Sequence, residues 1–203
     1  MKAKEQNITI RPFSWSLYSD HVPTWASIPS MFSPQECEKI IEIGNKLNPT
    51  VAVVGNKKGT REMRTRNSFT SWISPGDATD WIFEKATNVI KNVNNEHFKF
   101  NLFGLNEGFQ FTKYKAPKGH YTAHIDKMYK GPVRKLSLAI QLTDPKEYKG
   151  GELTIYEGAN PDIMPKKLGM GVIFPSYVLH RVTPIKKGTR YSLVAWFTGE
   201  NFK

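Results

Sequence analysis

His124, Asp126 and His180 are the residues whose types and spacing could do chemistry. His124-Ile125-Asp126 sets an imidazole and a carboxylate at i and i+2, which on a β-strand means one face, so both can reach a single metal ion. The third ligand is expected from Val178-Leu179-His180-Arg181-Val182-Thr183-Pro184, the other strand-like run that holds a histidine, followed ten residues on by Arg190. Two imidazoles and a carboxylate make the facial triad that suits non-haem Fe(II) and leave open positions on the metal.

Such ligands must be held by a scaffold, and the sequence supplies one in two parts. Residues 1 to 30 are irregular and aromatic-rich, and an edge strand or two is expected there. Ser33-Pro34-Gln35-Glu36 offers an N-cap, a proline at the first helical position and a capping-box glutamate, followed by Cys37, Ile40, Ile41, Gly44 and Leu47 at helical spacing. Cys37 lies on that apolar stripe and reads as a small buried side chain. A second helix is expected over Ser74 to Val93, with Ala78, Ile82, Ala86, Val89 and Val93 on one face. Between the two helices, Asn48 to Arg66 reads as an exposed basic loop, either a flap over substrate or a solvated surface loop. From His97 onward the apolar period becomes two: Phe98, Phe100 and Leu102; Phe109 and Phe111; Leu136, Leu138, Ile140 and Leu142. Further strands fit Glu152 to Tyr156, Gly171 to Phe174, Val178 to Val182 and Tyr191 to Phe197. Helices followed by strands with no helix between them predict an α+β, mainly β chain, a double-stranded β-helix (jelly roll) braced by two or more N-terminal helices. Residues 1–203 are expected to form a single domain, with supporting helices, edge strands and the basic loop in 1–96 and the jelly-roll core in 97–203.

Composition narrows the class. No run approaches the roughly 20 apolar residues of a membrane helix, and the N-terminal lysines are followed by no apolar stretch, so a cytoplasmic protein with no membrane partner is expected. Cys37 is the only cysteine, which excludes an internal disulfide and a thiolate cluster. Any metal must therefore sit on N and O ligands. The formal net charge of +11 favours anionic partners.

With these motifs in place, the sequence resembles the Fe(II)/2-oxoglutarate-dependent dioxygenases, specifically their prolyl 4-hydroxylase-like branch. The resemblance covers roughly residues 30 to 200 and is strongest from Tyr114 to Trp196. It rests on an ordered set: Tyr114, Gly119, Tyr121 and His124-Ile125-Asp126, then Gly150-Gly151-Glu152-Leu153, then His180-Arg181-Val182-Thr183-Pro184-Ile185, then Gly188-Thr189-Arg190 and Trp196. The resemblance implies Fe(II) on His124, Asp126 and His180, with 2-oxoglutarate and O2 at the open positions. It also implies Arg190 as the partner of the cosubstrate's distal carboxylate, which its planar fork fits. Tyr114 resembles the pocket-wall tyrosine that hydrogen-bonds cosubstrate or substrate; Tyr121 and Trp196 would line the same cavity or serve the core.

The activity implied is hydroxylation of a prolyl residue in a peptide or protein, coupled to conversion of 2-oxoglutarate to succinate and CO2, with ascorbate as the supporting reductant. Clustered basic residues at 57 to 66, with Lys113, Lys115, Lys118, Lys127 and Lys130 around the motif, lead to an expected acidic peptide, or a protein bound to nucleic acid, as the partner; direct nucleic-acid binding is not implied. Two alternatives stand beside this: an oxygenase acting on a free amino acid or other small molecule, and a non-catalytic cupin-like binding module. Arg190 argues against the module, which needs no carboxylate clamp beside its metal. His21, His97 and His120 are not expected to be ligands, Gly150-Gly151 reads as a tight turn, and Arg181 is expected on the strand face opposite His180.

Overall fold

The computed structural model describes residues 23–52, 62–126 and 131–201. In chain order, β1 (Ala26–Ile28) leads to α1 (Pro34–Lys46), β2 (Thr50–Val51), the short helix α2 (Glu62–Thr65), β3 (Arg66–Asn67), β4 (Phe69–Ile73) and α3 (Asp80–Val93), which runs into a π-helical turn at Asn94–Phe98. Strands follow: β5 (Leu102–Leu105), β6 (Phe109–Lys115), β7 (His120–His124), β8 (Arg134–Gln141), β9 (Lys149–Gly150), β10 (Leu153–Tyr156), β11 (Pro161–Ile163), β12 (Gly171–Pro175), β13 (His180–Val182), β14 (Ile185–Lys187) and β15 (Thr189–Gly199).

The larger sheet has eight strands in the order β1-β12-β8-β15-β6-β4-β2, with β5 also paired to β15; the smaller has five in the order β11-β10-β13-β7-β3. All of these pairs are antiparallel, and the two sheets enclose a cavity between them, as expected of a double-stranded β-helix. Strand β15 shows how the pleat assigns the two sides. Arg190, Ser192, Val194 and Trp196 line the cavity, whereas Leu193, Ala195 and Phe197 join the core under the helices. Cys37 and Ile40 of α1 and Ile82, Ala86, Ile90 and Val93 of α3 complete that core. The helices therefore cover the outer face of the larger sheet and leave its inner face to the site.

Helix α1 forms as its cap predicts. Ser33 N–H donates to Glu36 Oε2 at 2.6 Å, and Glu36 N–H donates to Ser33 Oγ at 3.2 Å, the reciprocal bonds of a capping box. Gly44 lets α1 lie directly on the sheet, because a Cβ there would enter the ring of Phe111. Leu47, expected on the buried stripe, lies past the helix end and is 47% exposed.

Two boundaries differ from expectation. The second helix starts at Asp80 rather than Ser74, because Ser74-Pro75-Gly76 closes a turn in which Gly76 N–H donates to Asp80 Oδ1 and Thr79 Oγ1 donates to the Ser74 carbonyl. Phe98 ends the π-helical turn instead of opening a strand; Lys99 then takes a left-handed conformation (φ 54°), and regular pairing begins at Leu102. Among the described residues no helix is long and apolar enough to cross a membrane.

Candidate metal and cosubstrate site

Each metal-ligand candidate is placed by a different backbone device. His124 is the last residue of β7 and His180 the first of β13, and the two are direct cross-strand partners. Asp126 lies beyond the end of β7, so strand alternation alone does not aim it. Its N–H donates to the Ser176 carbonyl at 2.9 Å, and Ser137 Oγ donates to its Oδ2 at 2.8 Å. Ser137 Oγ is also 2.9 Å from Ser176 Oγ, which ties β8 and the turn before β13 to the same carboxylate.

The ligand atoms converge. His124 Nε2 is 3.7 Å from Asp126 Oδ1, His180 Nε2 is 3.5 Å from Asp126 Oδ2, and one donor atom of each of the three residues lies within 4.8 Å of the others. On the far side of each ring, Nδ1 is held by a carbonyl: Thr122 for His124 at 2.8 Å and Val178 for His180 at 2.9 Å. A carbonyl only accepts, so Nδ1 carries the proton and the Nε2 lone pair points inward, as a metal requires. Burial, then the charge of His180, push His124 down to about 4, so its imidazole is neutral and able to ligate at pH 7. Burial raises the Asp126 carboxyl, but His180, His124 and the Ser137 hydroxyl outweigh it and hold the group below the ordinary carboxylate range.

Across the cavity stands Arg190, 5% exposed. Its Nε donates to Gln141 Oε1 at 3.0 Å, Gln141 Nε2 being anchored in turn on the Thr143 carbonyl and Tyr148 Oη. Among the described residues its buried Nη1 has no hydrogen-bond partner. An unpaired buried guanidinium nitrogen is costly unless an anion completes it. Tyr114 is the direct cross-strand partner of Arg190, its ring 5.6 Å from the guanidinium carbon. Arg190 and the three ligand candidates line one cavity of about 360 Å³, together with Tyr114, Tyr121 and Trp196. The residues present thus fit both groups: an N,N,O donor set for a metal, and an unsatisfied cation for a carboxylate.

Tyr121 does more than line the wall. Its ring stacks on His124 at 3.5 Å between centroids with an interplanar angle of 18°. Trp196 lies under Arg134, whose guanidinium is 3.8 Å from the indole and forks onto Glu107 through Nε and Nη2 at 2.8 and 2.9 Å. Trp72, 44% exposed, sits 6.0 Å from Trp196 and extends the aromatic wall outward.

Among residues 48 to 66, read as one exposed basic loop, Arg66 is a correction. It is 7% exposed, lines the cavity and bonds to Ser68 and Gln110. Lys57, Lys58 and Arg61 lie outside the described residues, as do Lys127 and Lys130. Lys113 does not ring the cavity mouth: it alternates with Tyr114 and lies 5.4 Å from the ring of Tyr191, on the helix-facing side of the sheet. Among the described residues, the cations that line the cavity are Arg66, Arg134 and Arg190. Gly151, read as a turn residue, has φ +66°, and a Cβ there would meet Ile185 Cδ1 and come within 3.2 Å of Arg190 Cδ. His97 pairs only loosely with Glu96, His120 turns its nitrogens to the Lys118 and Arg64 carbonyls, and Arg181 points away to Thr154 and Tyr156.

Residues 109–198 match the family model of the 2OG-Fe(II) oxygenase superfamily. That match runs from β6 to β15. A PKHD-type hydroxylase of Prochlorococcus marinus is 36% identical over 110 residues, 53% of this chain and 49% of that relative. The chain thus spans about half the length of that curated relative. Two solved structures share the fold. A Pseudomonas putida prolyl-4-hydroxylase superposes with a TM-score of 0.68 at 21% identity, covering 88% of this chain and 94% of that one. A Trichoplax adhaerens prolyl hydroxylase, in complex with a hypoxia inducible factor oxygen degradation domain peptide fragment, gives 0.73 at 15%, covering 87% and 84%.

Proposed function

We propose that this 2OG-Fe(II) oxygenase homologue is an Fe(II)- and 2-oxoglutarate-dependent dioxygenase that hydroxylates a prolyl residue in a peptide or protein. One observation carries the reading: the inward-facing His124, Asp126 and His180 share a cavity with an Arg190 nitrogen that is buried and has no partner among the described residues. In this reading the three ligands hold Fe(II), and Arg190, backed by Gln141 and flanked by Tyr114, takes the distal carboxylate of 2-oxoglutarate. Iron held there would supply O2 activation, one oxygen atom going to succinate as 2-oxoglutarate is oxidised with loss of CO2 and the other to the substrate C–H bond.

The chain's own part is orientation and exclusion of water. Nδ1–H bonds fix both imidazoles, Ser137 fixes the carboxylate, and Phe174, Leu153 and Val182 keep the inner wall apolar. Trp72, exposed beside Trp196, offers a flat face at the outer end, suited to a pyrrolidine ring. The prolyl assignment is supported by the hydroxylase relative and by the shared prolyl hydroxylase fold. The core shared by α1, α3 and the larger sheet supports one domain.

The net charge of +11 supports an acidic peptide, or a protein carried on nucleic acid, as the partner. The test is a panel of proline-containing peptides, acidic and basic, assayed for succinate and for the mass of one added oxygen on proline, with free proline alongside. Oxygen on peptidyl proline, fastest in acidic contexts, is expected. Hydroxylation of free proline alone would favour the small-molecule oxygenase. Unchanged peptide turnover after neutralising Lys57, Lys58 and Arg61 would count against the charge argument.

A further inference from the structure

We infer that Arg66 is a positioning residue for the metal centre, acting through Tyr121 on His124. The inference rests on the metal-site reading above. Tyr121 and His124 are three residues apart on β7, so in a regular strand they would point to opposite faces. They do not, because the β7–β13 ladder slips: His180 pairs with His124, whereas Val182, two residues on, pairs with Tyr121, three residues back. The extra residue of β7 is a bulge, and it turns the Tyr121 ring onto the imidazole.

That support matters more for His124 than for its partner. The side chain of His180 is 6% exposed and lies against Phe174 at 4.7 Å, while that of His124 is 16% exposed at a strand end. The Thr122 carbonyl fixes the tautomer of His124, and Tyr121 fixes the plane of its ring. Tyr121 is itself held by Arg66, its direct cross-strand partner on the edge strand β3, with the guanidinium 4.6 Å from the phenol ring.

Arg66 in turn is anchored on the link to β4 and on the larger sheet. Its Nε donates to Ser68 Oγ at 2.9 Å, and its Nη2 donates to Gln110 Oε1, on β6 of the larger sheet, at 2.7 Å. A planar cation with two fixed nitrogens stacks in one orientation only, so a cation–π contact here also defines geometry. The stack Arg66–Tyr121–His124 thus passes the position of the larger sheet to a ligand on the smaller one.

The test is a Co(II) titration of the metal-free full chain, read by the visible d–d band of bound cobalt, with thermal melting of the metal-free protein in parallel. Wild type and Tyr121→Phe are expected to bind alike, since the ring is kept. Tyr121→Leu and Arg66→Gln should melt as wild type does, yet bind Co(II) about 10-fold or more weakly and with an altered band. Wild-type affinity and an unchanged band in both variants would overturn the inference. If Tyr121→Leu fails to fold, Arg66→Gln decides alone, because the glutamine amide ends where the arginine Nε lies and can still meet Ser68. A wild-type chain that binds no Co(II) would reject the metal-site reading itself.

Discussion

At the scale of single residues, each imidazole is aimed by its other nitrogen, and the carboxylate by two serines. Ser137 is the side chain among them that can be removed at least cost to the fold, because an alanine fits where it stands on β8. Ser137→Ala is expected to lower Fe(II) affinity about 10-fold in an anaerobic competition titration, with an unchanged melting temperature. Gly151→Ala should act on the other partner. Its Cβ would press on Ile185 and Arg190 from a left-handed backbone, so the 2-oxoglutarate concentration needed for half-saturation should rise several-fold while metal affinity holds. The candidate ligands and Arg190 could be singled out in the sequence because metal and carboxylate chemistry restrict both residue type and spacing, and the structure brings them to one cavity. Arg66, Gln141 and Ser137 were not, because a buried Arg, Gln or Ser in a strand carries no signature until its partners on other strands are known.

At the scale of elements, the first helix was legible because its cap is local: every atom of the capping box lies within four residues. The same glutamate also reaches across to α3, where Lys85 Nζ lies 2.7 Å from both its carboxylate oxygens. Burial raises the Glu36 carboxyl, but the Lys85 ammonium and the Ser33 backbone N–H outweigh it, leaving it below its ordinary value of 4.5. A depressed folded-state pKa contributes stability above the unfolded value and loses it as pH falls through the folded one. Glu36→Gln should therefore cost about 1 kcal/mol at neutral pH, with the difference shrinking below pH 4.5 in urea titrations. Gly44→Ala tests the packing of the same helix. With the Phe111 ring in the way, it should destabilise by about 1–3 kcal/mol despite alanine's better helix propensity. The start of α3 and the Phe98 strand were misread because apolar spacing does not register a turn closed by Gly76 and Asp80, or a π-helical turn.

At the scale of the whole molecule, the layers were legible from order alone, helices first and strands after, but the enclosure of the site by two sheets depends on pairings between strands far apart in sequence. Cys37 reports on that assembly as a unit. Burial pushes its thiol up to about 11, and it is 1% exposed beneath α1, so at pH 8 a thiol reagent should label it only as fast as the core opens. Labelling that is rapid in native buffer would contradict the shared core. Charge acts at this scale too: an acidic peptide substrate should show a half-saturating concentration that rises with salt, and a neutral one should not. The most direct test of the central claim is anaerobic addition of Fe(II) and 2-oxoglutarate to the purified chain, followed by the weak visible metal-to-ligand charge-transfer band, in wild type and in Arg190→Ala. The site described here predicts a band in wild type that needs far more 2-oxoglutarate in the variant, with Fe(II) affinity retained; metal binding without a band in wild type, or identical 2-oxoglutarate titrations of the two proteins, would contradict it.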